Sequence, residues 1–170
     1  MKKLYMFSLG GNAGRSNIEV HDIQFAAVSK IEDAYPQLRK AWFGDKDKLH
    51  LDGYMPITWA DGYDVSLSQV PSQHPLKLFF INVGAYTPES LAEVHAFDLF
   101  VATDAQSAKE KAMRQLLVGM NHQHRDNLKD VDNCLLLDHV DALYIHLTAN
   151  PTGSKNLPEW QGYRPIGIAQ

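Results

Sequence analysis

Shifted on itself by 74 residues, the sequence lays Lys3-Leu4-Tyr5-Met6-Phe7-Ser8-Leu9-Gly10 over Lys77-Leu78-Phe79-Phe80-Ile81-Asn82-Val83-Gly84, and Glu19-Val20-His21 over Glu93-Val94-His95, without a gap. Eight of the 42 positions from 3 to 44 are identical in the second copy, where ordinary residue frequencies give about two or three by chance. A repeat of this kind restricts the architecture severely. A unit of about seventy residues buries too little surface to be very stable alone, so the two copies are expected to pack on each other about a pseudo-twofold axis.

Within the first copy, residues 3–9 and 18–28 read as strands joined by the turn-rich Gly10-Gly11-Asn12-Ala13-Gly14-Arg15-Ser16-Asn17, which favours an antiparallel pair. Ile31, Ala34, Leu38 and Trp42 then recur at helical spacing, and Ala105, Ala108, Ala112 and Leu116 repeat that stripe. Ser29 with Glu32, and Thr103 with Gln106, have the spacing of a capping box. Pro36 lies inside the first of these helices, so that helix is either kinked or begins nearer Asp33. Asp52-Gly53 and Asp61-Gly62 mark turns beside two further strands. Cys134 to Leu137 and Leu143 to Leu147 occupy the same places in the second copy, after an insertion of about six residues near Asn121 to Asp126.

The expected fold is therefore α+β: two tandem strand-strand-helix-strand-strand repeats, residues 1–74 and 75–150, with mainly antiparallel sheets. Residues 151–170 do not repeat, and Trp160 and Tyr163 suggest a tail docked on the body.

The bulk composition narrows the function classes. Sixteen basic against twenty acidic residues, with no Lys/Arg cluster, provide no electrostatic footprint for nucleic acid. The apolar run after Met1-Lys2-Lys3 stops at Ser8 and no longer one follows, so neither a signal peptide nor a membrane span is expected. Cys134 is the only cysteine, which excludes an intrachain disulfide and a cysteine-rich metal site. A cytoplasmic protein fits these features.

The duplicated triplet is the first candidate for function. Strand alternation puts Glu19, His21, Ile23, Phe25 and Ala27 on one face, and Glu93, His95, Phe97, Leu99 and Val101 on its equivalent. A carboxylate and an imidazole leading into an apolar face need partners, because an unpaired buried charge is costly. Pseudo-twofold packing would let the two Glu-His pairs converge at the joint between the copies, a common location for ligand sites. Three readings stand: a structural pair, a divalent transition-metal site made by His21, His95, Glu19 and Glu93, or a small-molecule pocket with acid–base capacity.

The glycine loop differs from a nucleotide-binding P-loop, with its short spacing, Arg15 for Lys, and a strand following it. Asn12, Arg15 and Ser16 could still form one wall of a pocket, with Arg15 or backbone N–H groups holding an anion; the alternative is a solvated turn. His122-Gln123-His124 reads as a surface loop, and no Ser or Cys carries a nucleophile motif. A rival class is an interaction or assembly protein, including a homodimer, marked by an exposed patch around Trp42, Phe43, Tyr54 and Trp59.

Residues Phe7 to Asp22, Leu49 to Tyr54 and Lys77 to Gly84 together resemble a bacterial family of uncharacterised proteins whose domain of unknown function occurs in one or two copies per chain. The resemblance spans residue 3 to about 148, and its most specific part is the glycine loop running into Glu19-Val20-His21-Asp22. It implies bacterial origin and tandem architecture and supplies no catalytic residue. Ala96 stands where the first copy has Asp22, so a role for Asp22 is not duplicated.

Overall fold

The structure is a computed structural model and describes residues 1–119 and 129–167. In chain order the first half holds β1 (Lys3–Gly11), β2 (Val20–Val28), a 3-10 turn (Ile31–Ala34), α1 (Tyr35–Ala41), a second 3-10 turn (Lys46–Lys48), β3 (His50–Pro56), β4 (Trp59–Ala60) and β5 (Tyr63–Ser68). The second half holds β6 (Lys77–Ala85), β7 (Val94–Ala102), α2 (Ala105–Gln115), β8 (Lys129–Leu137), β9 (His139–Val140) and β10 (Leu143–Ala149), and β11 (Trp160–Pro165) follows. They form three sheets, ordered β11-β3-β1-β2, β7-β6-β8 and β4-β5-β10-β9, in which every described pairing is antiparallel. The fold is α+β, strand-rich, with two domain-like halves.

Alternation along the central strands explains how the halves meet. On β1, Tyr5, Phe7 and Leu9 enter a core with Leu38 and Trp42 beneath α1, while Leu4 and Met6 face the other half. On β6, Phe79, Ile81 and Val83 pack with Ala108 and Ala112 of α2, while Leu78 and Phe80 face the first half. A strand apolar on both faces must be covered on both. Leu4, Phe25, Leu78, Phe80 and Leu99 share the core between the sheets, and the Phe25 and Phe80 rings meet edge to face at 5.4 Å.

The registers of the two halves correspond. β1 and β2 pair from Lys3↔Val28 to Gly11↔Val20, and β6 and β7 from Lys77↔Ala102 to Ala85↔Val94. β3 and β8 each carry a bulge, opposite Ser8/Leu9 and opposite Asn82/Val83 respectively. β5 pairs with β10, so the β4-β5 hairpin of one half is continuous with the β9-β10 hairpin of the other.

Each hairpin also holds an edge strand of the opposite half. Asp61 and Gly62 have φ of 48° and 89°, the left-handed pair of a tight hairpin turn, and Asp141 has φ 55°. Asp61 Oδ2 accepts the Val101 N–H of β7 at 2.8 Å, and Asp141 Oδ2 accepts the Ala27 N–H of β2 at 2.9 Å. These carboxylates satisfy donors that the edges of β2 and β7 would otherwise bury unpaired.

Local details differ from the sequence expectations in four places. The helical stripes are right, but Ala105 is exposed. The cap of α2 is Asp104, whose Oδ1 accepts the Ser107 N–H at 2.8 Å, one residue beyond Thr103. In the first half the Ile31–Ala34 segment forms a 3-10 turn and the α-helix starts only at Tyr35, so Pro36 sits in the first turn where its missing N–H costs nothing. Asp52-Gly53 is no turn: it lies inside β3, at the bulge against β1.

The C-terminal segment is tied to the body. β11 pairs with β3, Trp160 stacks on Tyr54 at 5.9 Å, and Arg164 lies 4.4 Å above the Trp160 ring. Asn156 accepts the N–H groups of Thr58 and Trp59 and donates to the Trp59 carbonyl.

Candidate functional site

The site forms where β1, β2 and β3 run side by side at one end of the first sheet. Gly10 lies between His21 on β2 and His50 on β3. His50 and Asp52, two residues apart on β3, project together with Glu19, which leads into β2. His50 Nε2 stands 2.5 Å from Glu19 Oε1 and 3.2 Å from Asp52 Oδ1, and His21 Nε2 is 3.5 Å from Asp52 Oδ2.

Gly10 makes the convergence possible. A methyl group in its place would lie 2.6 Å from Glu19 Oε1, 2.6 Å from His50 Nε2 and 2.9 Å from Asp52 Oδ2. The three polar atoms therefore surround a space that any other residue would fill. His50 is the only polar or charged residue in the buried class among the described residues, with its side chain 6% exposed. Its Nδ1 is 3.2 Å from the Lys48 carbonyl, and the Tyr163 ring of β11 covers the imidazole at 4.3 Å. Burial pushes the Asp52 carboxyl above its ordinary value; His50 and His21 pull it back, and the like charge of Glu19 raises it again. A buried imidazole nitrogen gathered with two carboxylates in this way offers a set of donors to a cation.

From Asp52 a cleft opens between the two halves. Its first chamber, ≈ 270 Å³, has apolar walls from Met6, Ile23 and Met55 of the first half and Phe97 of the second. Ser8 and Gln161 add polar points to it, and Asp52 belongs to its lining as well as to the His50 cluster. A second chamber, ≈ 340 Å³, shares Met6, Met55 and Phe97 and runs on to Asp61, Asp98 and Lys155.

The residues singled out in the sequence are distributed unevenly. Glu19 and His21 belong to the cluster, but the partners gathered round them are His50 and Asp52 of β3. Glu93 and His95 pair with each other at 3.5 Å at the start of β7. Asn12 and Arg15 are exposed in the glycine loop. That loop does hold a carboxylate through one N–H, but the carboxylate is the chain's own: Asp45 Oδ2 accepts from the Gly14 N–H at 3.1 Å, and the Asn12 carbonyl accepts from the Asp45 backbone N–H. Ser16 Oγ accepts from Ala13, closing the turn on itself. His122 and His124 lie outside the described residues.

His50 and Asp52 do not stand out in the sequence as site residues, because Asp52-Gly53 carries a turn signal. The available clue was alternation: His50, Leu51 and Asp52 put two polar groups on one face of a strand and a leucine on the other.

A family profile described as Domain of Unknown Function (DUF1543) matches residues 16–67 and 90–147. The chain belongs to the DUF1543 family. Glu19, His21, His50 and Asp52 all fall in the first matched DUF1543 segment, and Glu93 and His95 in the second. No curated protein matches the sequence. The crystal structure of a protein Il1583 from Idiomarina loihiensis is similar over 98% of this chain and 99% of that one, with 31% identity and a TM-score of 0.74.

Proposed function

We propose that this DUF1543 protein binds a small molecule in the cleft between its halves, with the Glu19-His21-His50-Asp52 cluster contacting one end of that ligand. The observation that carries this reading is that Asp52 belongs to both the cleft and the cluster. A molecule seated among Met6, Ile23, Met55 and Phe97 reaches the polar groups without further rearrangement. Apolar walls with a few convergent polar groups, at a joint between structural units, are the usual form of a small-molecule site. The first chamber has no cationic residue in its lining, so it suits a neutral ligand better than an anion.

The assembly reading has less support. Trp42 is buried at 3% exposure, so the patch proposed around Trp42, Phe43, Tyr54 and Trp59 reduces to Phe43 resting on the Trp42 ring at 4.7 Å.

The site sits, on this reading, at the joint of tandem copies, residues 1–74 and 75–150, related by a pseudo-twofold axis. Ala27 and Val101 are 74 positions apart, and the Asp61 and Asp141 that hold them are 80 apart, the repeat plus a six-residue insertion. Ser66 and His146, also 80 apart, face each other in the β5-β10 pair, where the axis would pass. A cytoplasmic setting accords with the single cysteine.

The test is a fragment screen read by the methyl resonances of 13C-methyl methionine. Fragments that bind should shift Met6 and Met55 together and leave Met113, on α2, unmoved, and Phe97→Asp should abolish the shifts in a folded protein. Fragments that bind elsewhere, or none at all, would refute the cleft as the site.

A further inference from the structure

We propose that Glu19, His50 and Asp52, with His21 as a fourth donor, bind one divalent first-row transition-metal ion of the zinc, manganese or iron type. The site goes beyond the ligand reading and does not depend on it, since the ion needs only these side chains.

Three features favour a metal centre over a hydrogen-bonded cluster. The first is distance. One donor atom from each of Glu19, His50 and Asp52 lies within 4.8 Å of the others. Donors bound at about 2.1 Å in a tetrahedron are about 3.4 Å apart. The His50 Nε2–Asp52 Oδ1 and His21 Nε2–Asp52 Oδ2 separations of 3.2 and 3.5 Å are close to that edge but use different oxygens of Asp52, so Glu19, 2.5 Å from His50, has to withdraw and His21, outside the group of three, has to swing in. The Glu19 side chain is 43% exposed and free to withdraw.

The second is orientation. His50 is buried with Nδ1 beside the Lys48 carbonyl, the arrangement that directs the other ring nitrogen outward as a ligand. The third is space. The point where a Gly10 methyl would sit is 2.6 to 2.9 Å from three donors at once, so the vacancy above Gly10 is already a cation-sized hole.

The donor chemistry selects the ion. Two imidazoles and two carboxylates suit zinc, manganese and iron, whereas calcium and magnesium prefer all-oxygen shells. The two carboxylates also balance a doubly charged ion. Stoichiometry follows from the second half, where the register places Asp130 opposite Gly84, the position His50 takes opposite Gly10. Among the described residues no second group of three such donors gathers, and one ion per chain is expected.

The experiment is titration of tag-free, chelator-treated protein with Zn2+ by calorimetry, and with Co2+ by visible absorption. One equivalent should bind with a Kd of micromolar or tighter, and Co2+ should develop absorption bands of a low-symmetry site. Gly10→Ala fills the hole, displacing the side chains around it, and should weaken Zn2+ at least 100-fold. Glu19→Gln should weaken it at least 10-fold, and His139→Ala, at an exposed pair with Asp138, should change nothing. Circular dichroism establishes that each variant is folded. Absence of binding in the parent, or binding unaffected by both Gly10→Ala and Glu19→Gln, would overturn the proposal. Neither result bears on the methionine shifts, so failure of the metal site and failure of the cleft are separately visible.

Discussion

Replacing Asp61 should expose how strongly the two halves depend on each other. Its Oδ2 accepts from the Val101 N–H and from Lys111 Nζ, both at 2.8 Å, and Lys111 Nζ also donates to the Val101 carbonyl. Val101 is 1% exposed, and the substitution removes the carboxylate its N–H donates to. In Asp61→Ala the charge-assisted bond to a buried donor contributes about 1.5–3 kcal/mol. The ion pair, with Lys111 34% and Asp61 20% exposed, adds at most about 1 kcal/mol after screening. Alanine at φ 48° is strained by roughly 1 kcal/mol where aspartate is tolerated. The loss is therefore about 2.5–5 kcal/mol, a large part of the stability of a protein this size. Asp61→Asn keeps an acceptor and the left-handed preference and should lose only about 1 kcal/mol. Asp61→Gly removes the strain with the bonds and should fall between the two. Asp141→Ala, with a single bond to Ala27 from an exposed side chain, should cost about 1–2 kcal/mol. Urea unfolding followed by circular dichroism measures the series. An Asp61→Ala loss below about 1 kcal/mol, or an Asn variant as unstable as the Ala variant, would refute the latch.

Two further perturbations test individual parts. Asp104→Ala should lower the Tm by uncapping α2. The Ser107 backbone N–H, then Thr103 and Ser107 side chains, hold the Asp104 carboxyl below its ordinary value. Its contribution is therefore present above the unfolded carboxyl pKa and lost as pH falls through the depressed folded value, so parent and variant Tm curves should converge in acid. Asp52→Asn removes a charge that the fold desolvates beside Glu19, so the metal-free variant should have a higher urea midpoint than the parent at pH 7 while its Zn2+ affinity falls. A metal-free variant less stable than the parent would mean that Asp52 is held mainly by its two histidines.

The tertiary structure explains which parts of the sequence were readable. The core residues Leu38, Ala108 and Ala112 were visible because a helix puts every third or fourth residue on one face whatever it packs against. Glu19 and His21 stood out because the same Glu-Val-His triplet occurs again 74 residues on. The start of α1 was harder, since a 3-10 turn at Ile31–Ala34 satisfies the same spacing at its beginning as an α-helix. Asp61-Gly62 and Asp52-Gly53 carry the same dipeptide, and only pairing separates them: the first joins β4 to β5, and the second is held in β3 against β1.

From the sequence alone follow the self-similarity at a spacing of 74 residues, most of the strand and helix segments, and the absence of a cysteine framework. All of these are periodic or compositional properties carried by residues near one another in the chain. The site itself was decided by tertiary structure. His50 and Asp52 reach Glu19 across about thirty residues because β3 joins β1 on the side opposite β2, in a register that its bulge shifts by one residue. Gly10 becomes a cradle, and Tyr163 a cover, only when strands far apart in sequence lie side by side. The free energy that selects those neighbours comes from burying both faces of the sheets at once, a sum over the whole molecule that no local window of sequence contains.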